Sequence, residues 1–159
     1  VNSNVDNLPV NNNKFIKAMQ FVSLHEWSNR VDGAYTNDPV DPGGETKFGI
    51  SKKAHPTLDI KNLTLTEALV IYYNEYWIVN RCDNYGIALA TCIFDTAVNG
   101  GIKLVKQMTS DDYSELIALR RQRYLSLIQR NPALSKYKNG WMNRLTDLSK
   151  FCEIQEQAD

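Results

Sequence analysis

Between Gly86 and Asn99 the chain offers almost no polar face to water. Ile87, Leu89, Ala90, Cys92, Ile93, Phe94, Ala97 and Val98 fill every side of a helix drawn there. A helix that is apolar all round has to be surrounded by the rest of the fold. Gly100-Gly101 stands where such a helix would stop. Asp95 and Asn99 are four residues apart and share one face of this element. Buried polar groups need partners, and two uses of the pair stay open. They form an internal hydrogen-bonding pair that orients a nearby loop, or they belong to the floor of a binding cleft.

The shell is supplied by other helices. Phe15, Ala18, Met19 and Val22 have helical spacing, which predicts a first helix from about Lys14 to Glu26. Thr64 with Glu67 forms a capping box, and Leu65, Ala68, Leu69, Tyr72 and Tyr76 carry that helix to Trp77. Aromatic stripes of this kind are core by default. From Asp111 a long helix carries Tyr113, Leu116, Ile117, Tyr124, Leu127 and Ile128 on one side. Arg120, Arg121, Arg123 and Arg130 read as its solvated face, and Asn131-Pro132 ends it. A last helix from Tyr137 to about Ile154 has Trp141 as its packing anchor. Arg144 is equally suited to a surface position or to pairing with an acidic group.

One residue breaks the apolar rhythm of the first helix. Continuing its stripe lands on Glu26, a carboxylate in the last turn with no lysine or arginine beside it on that face. Partial desolvation and the negative helix end both favour its protonated form, which is what a general acid requires. The loop that follows is dense in turn formers: Asn37-Asp38-Pro39 and Asp41-Pro42-Gly43-Gly44. Ala34-Tyr35-Thr36 and Thr46-Lys47-Phe48-Gly49-Ile50 flank these turns with strand-like alternation. They predict a small irregular β-hairpin beside the helix end, bringing Asp38, Asp41, Glu45 and Thr46 near Glu26.

These residues, with Phe94-Asp95-Thr96-Ala97-Val98-Asn99-x-Gly and Gly140-Trp141-x-Asn143-Arg144, resemble glycoside hydrolase family 108 from about Phe15 to about Arg144. That family comprises bacterial and phage N-acetylmuramidases. The resemblance implies a mainly α, lysozyme-like helical domain with one small irregular β-hairpin, spanning residues 14–159 after a flexible tail at 1–13. It implies hydrolysis of the β-1,4 bond between N-acetylmuramic acid and N-acetylglucosamine in peptidoglycan, with Glu26 as general acid. Asp41, Glu45 and Thr46 are the assisting candidates; by analogy with phage-type lysozymes, Thr46 places the attacking water. Tyr35, Tyr76, Trp77, Asp95 and Asn99 are the candidates for substrate binding. The chain departs from the family pattern in two places. Trp27-Ser28-Asn29-Arg30-Val31-Asp32 is inserted between Glu26 and Gly33-Ala34-Tyr35, so Asp32 competes for the acid role. The family's further stretch after Gly101, associated with wall binding, looks trimmed, because the chain passes almost directly from Met108 to Asp111. A lytic transglycosylase using the same glutamate, and a non-catalytic wall-binding or secretion-assisting module, are the alternative readings.

Composition narrows the remaining classes. Eighteen basic and eighteen acidic residues balance, so no bulk charge points to nucleic acid or an anionic membrane, and no apolar run is read as a membrane span. The start lacks the pattern of a signal peptide. The expected setting is synthesis in a bacterial cytoplasm and action on the wall, as a monomer. Cys82, Cys92 and Cys152 do not have metal-ligand spacing. Free thiols are expected, with a Cys82–Cys152 bridge as the other possibility. No metal or cofactor is expected. A calcium loop built on Asp38, Asp41 and Glu45 does not follow the known pattern.

Overall fold

The computed structural model describes residues 11–40, 42–108 and 110–158. Five α-helices and a two-stranded antiparallel sheet are found among them, which is the mainly α fold with a small hairpin. The expected tail falls largely on residues 1–10, outside the described residues. The chain divides into two compact units, residues 1–75 and 76–159.

In the first unit, helix α1 spans Asn13–Trp27. Asn12 starts it by accepting the Phe15 amide at 2.9 Å, a side-chain N-cap. Ser28 and Asn29, at φ 52° and 55°, end it in the left-handed region. Its buried face is Phe15, Ala18, Met19, Phe21, Val22 and Trp27, the predicted stripe with Phe21 and Trp27 added. Strands β1 (Thr46–Lys47) and β2 (Ile50–Ser51) pair with Thr46 opposite Ser51 and Lys47 opposite Ile50. Phe48 and Gly49 form the connecting turn, both at positive φ (51° and 74°), as tight hairpin turns require. Thr36 bridges to Thr46 through two backbone bonds of 2.9 Å. The predicted hairpin arms therefore do meet, at one residue, and a tighter hairpin is added beyond them. Helix α2 spans Leu65–Tyr72 and begins with the Thr64–Glu67 capping box. It does not continue as an α-helix to Trp77. Residues Tyr73–Ile78 form a π-helical segment.

In the second unit, helix α3 spans Ile87–Gln107. Its predicted stop at Gly100-Gly101 is a break instead: Gly101 has φ 80° and ψ 174°, and helical geometry resumes beyond it. Contrary to the sequence reading, this stretch is long and apolar enough to cross a membrane, but most of it is buried inside the fold. Helix α4 (Tyr113–Arg130) is capped by Asp112 and ends at Asn131; helix α5 spans Lys138–Ala158. Trp141 is stacked on both Tyr124 (4.6 Å) and Tyr137 (5.7 Å). All three cysteines are free and buried. Burial pushes the Cys82 and Cys92 thiols up to about 12 and raises that of Cys152 as well.

A buried ion-pair cluster holds α3, α4 and α5 together. Asp95 is fully buried, and both its carboxylate oxygens are taken. Arg120 Nη1 donates to Oδ2 at 2.7 Å, and Arg144 donates to Oδ1 from Nη2 at 2.7 Å and from Nε at 3.2 Å. Asn99 Oδ1 accepts from Arg120 Nη2 at 2.6 Å and from Arg144 Nε at 3.3 Å. Arg120 also donates to the Tyr124 hydroxyl at 3.1 Å. Arg120 is therefore not part of a solvated face: it is 1% exposed.

Candidate active site

Glu26 lies in the last turn of α1, half-buried. The hairpin meets it with its tip. A methyl group built on Gly49 would fall 3.1 Å from Glu26 Cβ and 3.3 Å from Glu26 Oε2, and would overlap the Tyr72 hydroxyl. Only a residue without a Cβ allows three groups this close: the turn backbone, the carboxylate and the phenol. Gly49 is also in the left-handed region, which adds a second reason for glycine. Tyr72 holds the turn from below, donating from its buried hydroxyl to the Phe48 carbonyl at 2.9 Å. Trp27 packs edge-on against Phe48 at 5.4 Å and tilted against Tyr72 at 6.2 Å. The carboxylate of Glu26 thus sits at the tip of a turn that this aromatic cluster holds in place.

Gly49→Ala should therefore impair both function and stability. A left-handed alanine costs about 1–2 kcal/mol, and the new methyl must also displace the buried Tyr72 hydroxyl that holds the turn, with the Glu26 carboxylate beside it. Activity should fall severalfold or more, and the thermal midpoint should drop by more than the backbone cost alone accounts for. Comparing turnover with a melting curve of the same variant checks this.

The other predicted residues of this unit are placed as follows. The Tyr35 hydroxyl donates to Glu45 Oε2 at 3.1 Å, and desolvation and this carboxylate both raise the phenol's pKa. Thr46 is half-buried in β1, and its hydroxyl is turned to the Gly44 carbonyl at 3.5 Å. Asp38 accepts the Val40 amide of its own turn and is exposed. Asp41 lies outside the described residues. The inserted stretch after Trp27 is a compact turn, with Gly33 donating to the Arg30 carbonyl at 3.0 Å. Asp32 there is exposed and clasped by Arg30 through bonds of 3.0 and 2.7 Å. Arg30, and then the Ala34 amide, hold its carboxyl below the usual range. That favours the ionised form, which is the wrong state for an acid.

In the second unit, Tyr76 is half-buried, and its carbonyl accepts from Asn80 at 2.6 Å. Trp77 is fully enclosed, donates its indole N–H to Asp83 at 3.0 Å and packs on Phe94. Trp77 and Asp95, expected to touch sugar, present no surface to a ligand in this conformation; both are 0% exposed. Asn99, half-buried, shares the arginines of Asp95. Asp95 and Asn99 meet through Arg120 and Arg144, which tie α3 to α4 and α5.

Sequence reading passed over two residues. Tyr72 was counted as one aromatic of a core stripe; no local signal marks its hydroxyl bond to Phe48. Arg120 had a signal that was missed, since it falls on the Leu116, Ile117, Tyr124 face at helical spacing.

Residues 26–101 match the model of the family described as glycosyl hydrolase 108, and the resemblance noted above is borne out there. The match begins at Glu26 and takes in the hairpin, α2 and most of α3. No curated protein matches the chain. Among solved structures, SagA of Brucella abortus is similar over 88% of this chain and 94% of its own, at 22% identity and a TM-score of 0.63, which shows a shared fold. The coarse activity that the family match carries is that of a glycosidase acting on the peptidoglycan of the cell wall.

Proposed function

We propose that this chain, which matches glycosyl hydrolase 108 from Glu26 onward, is an N-acetylmuramidase. In this reading it cleaves the β-1,4 bond between N-acetylmuramic acid and N-acetylglucosamine. Glu26 protonates the departing glycosidic oxygen as positive charge develops on the sugar ring. The observation that carries this is the position of Glu26: half-buried in the last turn of α1, its Oε2 against the glycine tip of the hairpin. The pairing of Asp32 with Arg30 supports Glu26 over the competing carboxylate. Glu45, oriented by Tyr35, and Asp41 are the candidates to assist, and Thr46 is the candidate to place the attacking water. The chain acts at the wall as a monomer, in the manner of a phage endolysin or a bacterial autolysin.

Mass spectrometry of digested wall tests the reaction. Water as nucleophile leaves a reducing muramic acid end, whereas attack by the sugar's own hydroxyl leaves an anhydro end and would make the chain a lytic transglycosylase. Absence of either product would leave a wall-binding module. Glu45→Gln and Thr46→Ala then separate the assisting roles. If Thr46 holds the water, its replacement lowers kcat with little change in KM. If Glu45 serves as base, its replacement lowers kcat by about a hundredfold or more. Equal, small effects from Glu45→Gln and Asp41→Asn would point to a mechanism with one protein carboxylate.

A further inference from the structure

The first unit contains a groove that Glu26 does not line. It encloses about 760 Å³, within the roughly 300–1,000 Å³ usual for ligand sites. The face of α1 bearing Ile16, Met19, Gln20 and Ser23 forms part of it, and so do residues 61–65 together with Leu69. Trp27 and Phe48, crossed edge to face, contribute aromatic surface. Two apolar residues at the groove stay open to solvent, Val31 fully and Leu65 at 47%.

The charged side chains that line this apolar floor are all basic. Arg30, Lys47 and Lys61 line the groove, and no aspartate or glutamate among the described residues does. Arg30 is already clasped by Asp32. The Lys47 ammonium is pinned by a neutral group instead, the Lys61 carbonyl at 2.9 Å, and lies 5.5 Å from the Phe48 ring centre. This leaves a positioned cation that can take a carboxylate from a ligand. Amide and hydroxyl side chains also line it: Gln20, Asn29, Asn62 and Thr64. Thr64 is committed to its capping box with Glu67, Asn62 Nδ2 donates to Asp59 and Asn29 Oδ1 accepts from Ser23. Gln20 and the remaining ends of the two asparagine amides are groups of the kind that pairs with peptide bonds. A simple fatty anion would use the floor and one lysine but would cover these polar groups without bonding them, at a cost.

We infer that the groove binds a short acidic peptide with small aliphatic side chains, of the kind that hangs from the glycan strands of peptidoglycan. Its carboxylates meet Lys47 and Lys61, and its methyl groups rest on Val31, Leu65 and the narrow exposed edges of Met19, Trp27 and Phe48. The identity of the peptide rests on the proposed wall activity; the groove's charge and shape do not. Phe48 lines the groove, and its neighbour Gly49 touches Glu26, so a seated peptide leans on the turn that abuts the candidate acid.

The test uses the full chain carrying Glu26→Gln, so that binding is read without turnover. The probe is a sugar-free wall tetrapeptide of alanine, γ-linked glutamate, a diamino acid and alanine, titrated by calorimetry or by amide shifts. Saturable binding is expected, weakened at least tenfold by Lys47→Glu with Lys61→Glu and weakened by salt. Lys61→Glu alone, at an exposed position, is the control that should keep its fold and still weaken binding. On the active chain, glycan stripped of peptide should show a raised KM relative to intact wall, and the double variant should lose that preference. No peptide binding, or binding indifferent to both lysines, overturns the inference. Binding of decanoate at the groove without binding of the peptide overturns it in favour of a lipid-like anion. Peptide binding by a chain that cleaves no wall would sink the muramidase reading and leave the groove standing.

Discussion

Glu26→Gln is expected to stop wall lysis while leaving the melting temperature close to that of the parent. The substitution keeps the size of the side chain and removes only the transferable proton. General acid catalysis is worth roughly a hundred- to ten-thousandfold, and the variant's turnover should fall by that order. Asp32→Asn, on the exposed turn nearby, should leave turnover nearly unchanged, because Arg30 already fixes that carboxyl as an anion. The reverse pattern, with Glu26→Gln active and Asp32→Asn inactive, would move the acid into the inserted turn. Release of reducing sugar from purified wall, with circular dichroism melts of the same samples, decides between the two.

The second large effect is on stability. Asp95→Asn leaves Arg120 buried and Arg144 half-enclosed without their anion. Breaking a buried pair in this way costs about 3–5 kcal/mol, or on the order of 10 °C in melting temperature for a chain of this size. The dependence on pH has a definite sign. Burial is the largest influence on Asp95 and pushes its pKa up, but Arg120 and Arg144 outweigh burial and hold it below the ordinary value of 3.8. The stability it supplies is therefore complete above that value, and is lost as pH falls through the lower folded pKa. The deficit of Asp95→Asn should be widest near neutral pH and should shrink well below pH 4. Urea melts at pH 7 and pH 3 measure it. An equal deficit at both would mean that the side chain acts through packing and not through its charge.

The two sites differ in how much of them could be read from residue order. Glu26 was legible because a carboxylate on an apolar stripe violates a strong pattern, and the turn residues after it announce a hairpin. A helix start was legible where a capping box marks it, as at Thr64. What escaped was set by packing at a distance. Phe48 at φ 51° is an unusual turn residue by local preference, and it is held there by Trp27 and by the hydroxyl of Tyr72. The π-helical turns at Tyr73–Ile78 carry no local mark. Gly101 announced a stop, but glycine marks only a change of backbone direction and does not say whether a helix resumes. Arg120 looked like one of several surface arginines because its anion, Asp95, lies on another helix, although its spacing to Leu116 and Tyr124 on its own helix marked the apolar face.

The three cysteines bear on where such a chain can work. Only the thiolate exchanges with disulfides or reacts with oxidants at an appreciable rate. With Cys82 and Cys92 pushed up to about 12 and Cys152 also raised, and all three out of reach of solvent, the thiols stay protonated and hidden while the fold holds. The covalent state of the folded molecule is then the same on either side of a bacterial membrane. A protein built this way needs no disulfide made in an oxidising setting and loses none to a reducing one.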